Sequence, residues 1–434
     1  MSVPVKVVSG AGHEWLLTER IGSGSEGVVY AVDDPRALVA KLVPDPPDPA
    51  AYRRRVERLV RQRREPRTVR LLAGTPARLA WPMVAVRTVH DRVDGYVMPD
   101  MRGAFQPFVH LLSPDARRSL LPGATWATAL AAAESLARLL AGLHAEGYVV
   151  GDLKPDNLWV DGRSGLVGMA DVDSWQFTDG LEVFPGRMRT PGYTAPELIG
   201  PGGALWIRPD QGVGVPPCPQ GIGGGSGAVD RKAEEGGWGY PRARRATGEE
   251  PCRPTTTRRG AAPGHASPAG STRHPRGAPV SGGSPDSASD DFVLAVLVHQ
   301  LLLSGLHPFA GHPTDGGDYL SYDDNVLRGR CRITDRTSVT LPRSAPPADL
   351  LPRRLAELLR AAFGGRRRPR AALWAEELAA ARAPGRLTVC AAHRRHVYTV
   401  ERPWCPWCDQ AERGVDSYPD PGTGPGPRSA EDTP

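Results

Sequence analysis

Asp152, Lys154 and Asn157 stand as D-x-K-x-x-N inside YVVGDLKPDNLWV, and ADVDSWQF follows about a dozen residues later with Asp171. These residue types at this spacing suit phosphoryl transfer. A carboxylate must accept or orient a hydroxyl proton, and a lysine must balance charge on the moving phosphoryl group. An amide and a second carboxylate must hold Mg²⁺ or Mn²⁺. Asp152 is then the catalytic carboxylate, Lys154 the charge-balancing cation, and Asn157 and Asp171 the metal ligands. Upstream, Gly22, Gly24 and Gly27 form G-x-G-x-x-G, followed by Val29, and Lys41 closes V-A-K on a later strand. The same glycine pattern opens helices in dinucleotide-binding folds. Here strand-like text lies on both sides, which favours a flap over the phosphates of ATP with Lys41 pairing them; the alternative for Lys41 is a surface position on an edge strand. A third cluster lies in LTVCAAHRRHVYTVERPWCPWC, where Cys390, Cys405 and Cys408 with His393 or His396 have the composition of a tetrahedral Zn²⁺ site. A redox C-x-x-C is the rival, without the βαβ pattern that usually surrounds one.

The elements that must position these residues can be read from periodicity. WLLTERIG, GSGSEGVVYAV and ALVAKLV are β-branched runs parted by glycine and by the Asp33-Asp34-Pro35 turn, which predicts a small antiparallel sheet. AYRRRVERLVRQRR follows with Tyr52, Val56, Leu59 and Val60 as one apolar helical stripe; its arginines read as a solvated face and Glu57 is its one acidic residue. ATALAAAESLARLLAGLHAEG is a second helix, with Leu130, Leu136, Leu140 and Leu143 at helical spacing, and it delivers the chain into the Asp152 segment.

Composition narrows the classes further. The chain has 434 residues, 40% of them hydrophobic, which is enough for two lobes plus additions. Its 50 Gly and 45 Pro are densest in residues 201 to 289, which lack apolar periodicity. That stretch holds 11 Lys+Arg against 7 Asp+Glu, so of the net charge of +6 only +2 remains for the rest. The remainder is nearly neutral and predicts no nucleic-acid partner. The N-terminus lacks a signal-peptide pattern, and the most apolar run, Phe292 to Leu303, is too short to span a bilayer, so the expectation is a cytoplasmic protein with no membrane partner. Six cysteines, three of them between Cys390 and Cys408, suit a metal site in a reducing compartment.

From Trp15 to about Leu378, apart from the insert, the sequence resembles the eukaryotic-like (Hanks-type) protein kinase superfamily. GYTAPEL, with Glu197, is similar to the motif ending the activation segment; SDDFVLAVLVHQLLLSGLHPF, with Asp290, is similar to the buried helix that organises the C-lobe; and RRPRAALW, with Arg368, is similar to the late Arg-Pro element. The resemblance implies that Asp290 holds the catalytic loop through backbone bonds, that Arg368 pairs with Glu197, and that Glu57 pairs with Lys41. In finer detail the chain is similar to a bacterial cytosolic group marked by glycine before the catalytic Asp, D-x-D-S-[FW]-Q at the metal motif and a C-terminal C-P-W-C. That likeness favours Cys390, His396, Cys405 and Cys408 as zinc ligands, with His393 the competitor, and suggests a partner phosphatase and a von Willebrand-type protein. Departures matter as well. Val150-Gly151-Asp152 replaces His-Arg-Asp, so switching by loop phosphorylation is not expected. Asp171-Val172-Asp173 replaces Asp-Phe-Gly, its second carboxylate being either an added ligand or a turn cap. The closer group often has Asn where this chain has Lys154, a change toward the active pattern.

The expected fold class is therefore α+β: a bilobal protein kinase-like fold with a small antiparallel β N-lobe and a mainly helical C-lobe. Its expected divisions are 1–100 for the N-lobe and 101–200 for the first part of the C-lobe with the catalytic and activation segments. A disordered insert follows at 201–288, then the rest of the C-lobe at 289–384, a zinc knuckle at 385–410 and a disordered tail at 411–434. The superfamily joins the Glu197 and Asp290 positions in about a dozen residues, whereas 93 positions separate them here. TTTRRG within the insert is an expected autophosphorylation site, and a shifted translation frame would give the same composition. The knuckle is expected to fold on its own metal, and its loss to leave the lobes intact. The function expected is an ATP- and Mg²⁺-dependent Ser/Thr protein kinase acting on a protein substrate; a pseudokinase scaffold and a small-molecule phosphotransferase are the alternatives.

Overall fold

The computed structural model describes residues 5–24, 27–90, 92–186, 188–199, 285–317, 320–342, 345–365 and 367–420. The N-terminal part is built from β1 (Val5–Ser9), β2 (Glu14–Gly24), β3 (Gly27–Val32), β4 (Leu38–Leu42), β5 (Val84–Thr88) and β6 (Asp94–Pro99). They close into an antiparallel barrel in the order β1-β2-β3-β4-β6-β5. The antiparallel direction matches the expectation from sequence; the closure does not. It comes from the Val5-Lys6-Val7-Val8 stretch, which pairs Val7 opposite both Trp15 of β2 and Thr88 of β5 and so covers two edges that an open sheet would expose.

Period-two alternation decides where Lys41 points. β4 is buried along its whole length. Leu38, Ala40 and Leu42 pack inside the barrel with Val7, Trp15, Leu17, Val32, Val86 and Val97. Val39 packs on the outer face with Val56, Tyr96 and Met98. Lys41 shares that outer face, opposite Tyr96 on β6. The same face meets helix α1 (Pro49–Gln62), which begins where the Asp48 side chain accepts a hydrogen bond from Ala51 N at 2.9 Å and which buries Val56 and Leu59.

The short helices α2 (Pro66–Leu72), α3 (Val109–Leu112) and α4 (Pro114–Leu120) lead to α5 (Trp126–Ala145). Helix α6 (Ser287–Leu302), buried from Ser289 onward, packs on α5. Beyond it come α7 (Tyr322–Leu327), α8 (Arg353–Gly364) and α9 (Ala371–Ala381). Ala129, Ala132, Ala133 and Ala137 of α5 share one core with Ala371 and Ala375, and such small residues let α9 approach closely. A three-stranded sheet of β7 (Gln106–Pro107), β8 (Leu158–Val160) and β9 (Val167–Met169) brackets the Asp152 segment. The hairpin of β10 (Phe177–Asp179) with β11 (Glu182–Phe184) and the two-stranded sheet of β12 (His312–Pro313) with β13 (Val339–Thr340), which flank α7, complete this part. Among the described residues no helix is long and apolar enough to cross a membrane.

Two expected boundaries move. The insert at 201–288 falls outside the described residues except for its end: Pro285 accepts a hydrogen bond from Gln176 Nε2 at 2.9 Å, and Asp286 caps α6 through Ser289 N at 2.8 Å. The knuckle is also not a separate body. It consists of β14 (Leu387–Val389), β15 (Val397–Thr399) and α10 (Pro406–Glu412), so the expected 410/411 boundary cuts through a helix. Trp407 and Tyr418 belong to the same core as Trp126, with Trp407 6.2 Å from Trp126 and 4.8 Å from Tyr418. Buried Arg117 donates to the Ser417 carbonyl at 2.7 Å and lies 4.6 Å above the Tyr418 ring. Residues up to Tyr418 are therefore packed, contrary to a disordered tail from 411. Replacing Trp407 by Ala should lower the stability of the C-lobe by about 3–5 kcal/mol. Chemical denaturation followed by circular dichroism reads this, and a loss confined to the last 35 or so residues would mean that the knuckle is an independent module.

Candidate active site

Asp290 lies in the first turn of α6 and is 1% exposed. Its Oδ2 accepts from Val150 N at 2.8 Å, its Oδ1 from Gly151 N at 2.8 Å, and His144 Nε2 stands 3.0 Å from Oδ2. Two successive amides can face one carboxylate because Gly151 has φ +74°, and a Cβ there would sit 3.3 Å from Pro285 Cγ. This geometry gives the physical reason for glycine before Asp152.

Asp152 is buried, and its two oxygens have separate partners. Thr190 Oγ1 donates to Oδ1 at 2.7 Å and Lys154 Nζ donates to Oδ2 at 2.6 Å; Lys154 Nζ also donates to Thr190 Oγ1 at 3.2 Å. Asn157 Nδ2 donates to the Asp152 carbonyl at 3.1 Å, which turns the amide oxygen into its acceptor end. Thr190 was not picked out from the sequence, because no local spacing ties it to a residue 38 positions earlier.

The Asp171–Asp173 segment departs from the expected pairing. Asp171 sits in the left-handed region at φ 56°, a conformation a non-glycine residue holds only where its surroundings impose it. Lys41 Nζ donates to Asp171 Oδ1 at 3.1 Å and to Asp173 Oδ1 at 2.9 Å. Glu57 is exposed on α1, so the expected Lys41–Glu57 pair is replaced by Lys41 with Asp173. Tyr96 OH donates to Asp173 Oδ1 at 2.7 Å and Tyr52 OH to its Oδ2 at 3.4 Å. Burial, and then the Asp173 charge, push both phenols upward, so they stay protonated and remain donors. The helix therefore offers a hydroxyl where a carboxylate was expected, and the carboxylate comes from the position of the usual glycine. Nor are the α1 arginines only a solvated face. Arg55 donates to the carbonyls of Trp175 and Pro185, each at 2.6 Å, and ties the helix to the segment that follows Asp173.

The glycine-rich segment is a hairpin in which Gly22 lies opposite Val29 and Gly24 opposite Gly27. Gly27, at φ +137°, runs against the Leu42 carbonyl, where no Cβ fits. Val29 lies opposite Lys41, which brings the hairpin beside the lysine. On the other side of Asp152, Glu197 and Arg368 form a two-pronged pair at 2.5 and 2.7 Å. Burial raises the Glu197 carboxyl, but the Arg368 hydrogen bonds, a backbone hydrogen bond and the Arg368 charge together lower it. Gly192 of GYTAPEL is held from both ends: its N–H donates to Asp323 Oδ1 at 2.7 Å, and His307 Nε2 donates to its carbonyl at 2.9 Å. Burial lowers His307 to about 4, so the ring is neutral and fits this single-donor role.

The structure also brings together Cys390, His396, Cys405 and Cys408, whose ligand atoms lie within 4.8 Å of one another. His396 Nδ1 is 3.4 Å from Cys408 Sγ and 3.6 Å from Cys405 Sγ, and Cys390 Sγ is 3.6 Å from Cys408 Sγ. Tetrahedral Zn–S bonds of about 2.3 Å and Zn–N bonds of about 2.0 Å put ligand atoms roughly 3.5–3.8 Å apart, so the cluster fits the ion. His396 Nε2 lies 3.4 Å from Asp416 Oδ1, the outer contact that orients a ligating imidazole. His393 stacks on His396 at 4.0 Å and points its Nε2 to Asp420, outside the four-ligand group.

Asp173→Ala should cost about 3 kcal/mol of stability, because it strips a buried cation and two buried hydroxyls of their shared acceptor. Glu57→Ala should stay within about 0.5 kcal/mol of the parent. Thermal or urea unfolding of the two variants checks this, and equal effects would remove Asp173 as the lysine's partner.

No protein-family model matches the sequence. The chain is 24% identical to the protein kinase YegI of Escherichia coli K12, over 97% of this chain and 53% of that protein. It is also 24% identical to the YegI of Escherichia coli O157:H7, over 93% of this chain and 50% of that protein. The chain thus spans about half the length of the curated relatives it matches. Among solved structures it is similar to a rhoptry kinase from Toxoplasma gondii, at TM-score 0.47 and 13% identity over 88% of this chain and 84% of the other. That likeness is too loose to bear on function. The kinase-named relatives, together with a β barrel whose Lys41 meets Asp171 and Asp173, support a place in the protein kinase-like superfamily.

Proposed function

We propose that the chain is an ATP-dependent protein kinase that phosphorylates Ser or Thr hydroxyls on a protein substrate in the cytoplasm. The observation that carries this reading is the buried Asp152 carboxylate, held by Lys154 and Thr190 on a loop that Asp290 fixes by two backbone bonds. Such preorganisation is what phosphoryl transfer needs, since the reaction gains most from positioning and charge stabilisation. Asp152 orients the incoming hydroxyl and accepts its proton at a carboxylate oxygen. Lys154, 2.6 Å from that carboxylate, keeps positive charge beside the transferred group. Lys41 is anchored by Asp173 and reaches across to Asp171, so it faces the side where phosphates would lie under the Gly22–Gly27 hairpin. Asn157 and Asp171 offer an amide and a carboxylate oxygen, the hard donors Mg²⁺ or Mn²⁺ prefers; the ion, when bound, neutralises the phosphate oxygens. The Glu197–Arg368 pair and the Gly192 anchors brace a platform for a protein substrate, which speaks against a small-molecule phosphotransferase. The phosphatase and von Willebrand-type partners rest on the sequence resemblance alone.

One observation favours a second reading, a pseudokinase scaffold: Lys41 already shares itself between two carboxylates. Turnover separates the two. With γ-labelled ATP, Mg²⁺ and casein, the wild-type chain should incorporate label on Ser or Thr, and Asp152→Asn should lower kcat by roughly 10³-fold. Nucleotide binding without transfer by the wild type would leave the scaffold, and wild-type-like turnover in Asp152→Asn would remove that residue from its role.

Cys390, His396, Cys405 and Cys408 hold one structural Zn²⁺ in the same reading. The purified chain should contain one zinc per molecule, Cys405→Ser and His396→Ala should release it, and His393→Ala should retain it. Metal analysis of the three variants decides this, and zinc lost only from His393→Ala would exchange the two histidines.

A further inference from the structure

Helix α8 begins at Arg353 behind Pro352, which supplies no side-chain cap, and its first turn holds no acidic residue. Its leading N–H groups and its dipole therefore present positive potential at that end. A cavity of about 280 Å³ opens there, lined from α8 by Arg353, Ala356 and Arg360 along one helical face. This is close to the lower end of the roughly 300–1,000 Å³ range of ligand sites. Arg332 and Arg336 line it from the chain after α7, and Arg402 from the turn after β15. The acidic lining residues are Asp349 and Glu401, and both are engaged. Asp349 accepts from Arg402 Nη1 at 3.3 Å, and Glu401 accepts from Arg353 N at 3.1 Å. Arg332, Arg336 and Arg360 make no ion pair with a carboxylate among the described residues.

Two further facts show an unmet need for negative charge. Burial, and then the neighbouring Arg336 charge, lower the Arg332 guanidinium by more than the Asp349 charge raises it. The Arg402 side chain is only 9% exposed, and its buried Nε–H meets no acceptor. A buried donor left without an acceptor is costly, and native structures normally supply one. Arg402 also lies 4.9 Å over the ring of the exposed Trp404, so a flat apolar surface borders the cations.

We infer that this cavity binds a phosphate dianion, the chemistry shared by a phosphorylated Ser or Thr side chain and free phosphate. The lining is richer in guanidinium than in carboxylate by three formal charges, five against two, and guanidinium forks match phosphate oxygens in pairs. A single carboxylate ligand would leave most of that surplus unanswered. None of these residues belongs to the Asp152 site, so the cavity is a recognition site for a phosphate already installed.

The test is titration calorimetry on the full chain with three probes: N-acetyl-phosphoserine amide, its unphosphorylated counterpart and inorganic phosphate. It is repeated on Arg336→Gln/Arg360→Gln, whose side chains are exposed and whose loss should leave folding intact. The phosphorylated amide should bind, the unphosphorylated one should not, and the double variant should weaken binding at least about tenfold, with affinity falling as salt rises. Tighter binding of the phosphorylated amide than of inorganic phosphate assigns the site to a phosphorylated chain; equal affinity assigns it to free phosphate. No saturable binding up to about 10 mM, or binding that the double variant leaves unchanged, would overturn the inference.

Discussion

The architecture around Asp152 depends on one buried carboxylate. Asp290 cannot keep its charge inside the protein without donors, and the donors within reach are two consecutive backbone amides and an imidazole. Satisfying it fixes the peptide planes of Val150 and Gly151, hence the direction in which Asp152 leaves the loop. The same contact locks α6 to α5, because His144 lies in the last turn of α5. Asp291, the next residue, accepts from Ala371 N at 2.9 Å and so caps α9. Two adjacent carboxylates at the start of one buried helix thus tie the Val150–Asp152 loop and the packing of the helical part into a single arrangement.

A second carboxylate reorganises the other half of the site. In Asp171-Val172-Asp173 both acids meet Lys41, so the lysine's partner and the metal-side acid come from one short turn. Helix α1 then contributes hydroxyl and guanidinium contacts, Tyr52 to Asp173 and Arg55 to the carbonyls beyond it. Position of the helix and charge balance at Lys41 are separated. Lys41 of β4 and Tyr96 of β6 both reach Asp173 directly, while α1 reaches the same carboxylate through Tyr52.

Much of this was legible in the sequence because phosphoryl chemistry demands short-range spacings. D-x-K-x-x-N and the glycine hairpin are fixed by local turns, whereas the Glu197–Arg368 pair, 171 positions apart, was implied only by the family resemblance. The Glu57 assignment failed on phase. In the stripe Tyr52, Val56, Leu59 and Val60, position 57 lies at the flank, and Tyr52 was the polar group inside the stripe that pointed to a buried acceptor. The barrel closure was missed because only the pairing of Val5–Ser9 with both β2 and β5 reveals it, and that pairing joins distant segments. Thr190 and the Arg402 cavity were missed because they are made by tertiary contacts between distant segments.

The C-terminal segment shows why composition misleads at a domain edge. A Cys/His cluster in a short, polar stretch reads as a self-contained knuckle, because such a stretch has too little apolar surface to fold alone. It did not need to fold alone. Trp126 opens α5 with its Nε1 donating to the Leu302 carbonyl, and Trp407 packs on it from the far end of the chain. Asp416, beside His396, also accepts from Tyr418 N at 2.9 Å, and the Tyr418 ring lies under buried Arg117. The ligand cluster is therefore continuous with the core through His396, Asp416 and Tyr418. Because the cluster shares this core, a cation held there would be coupled to α4 and α5 through Arg117 and Trp407.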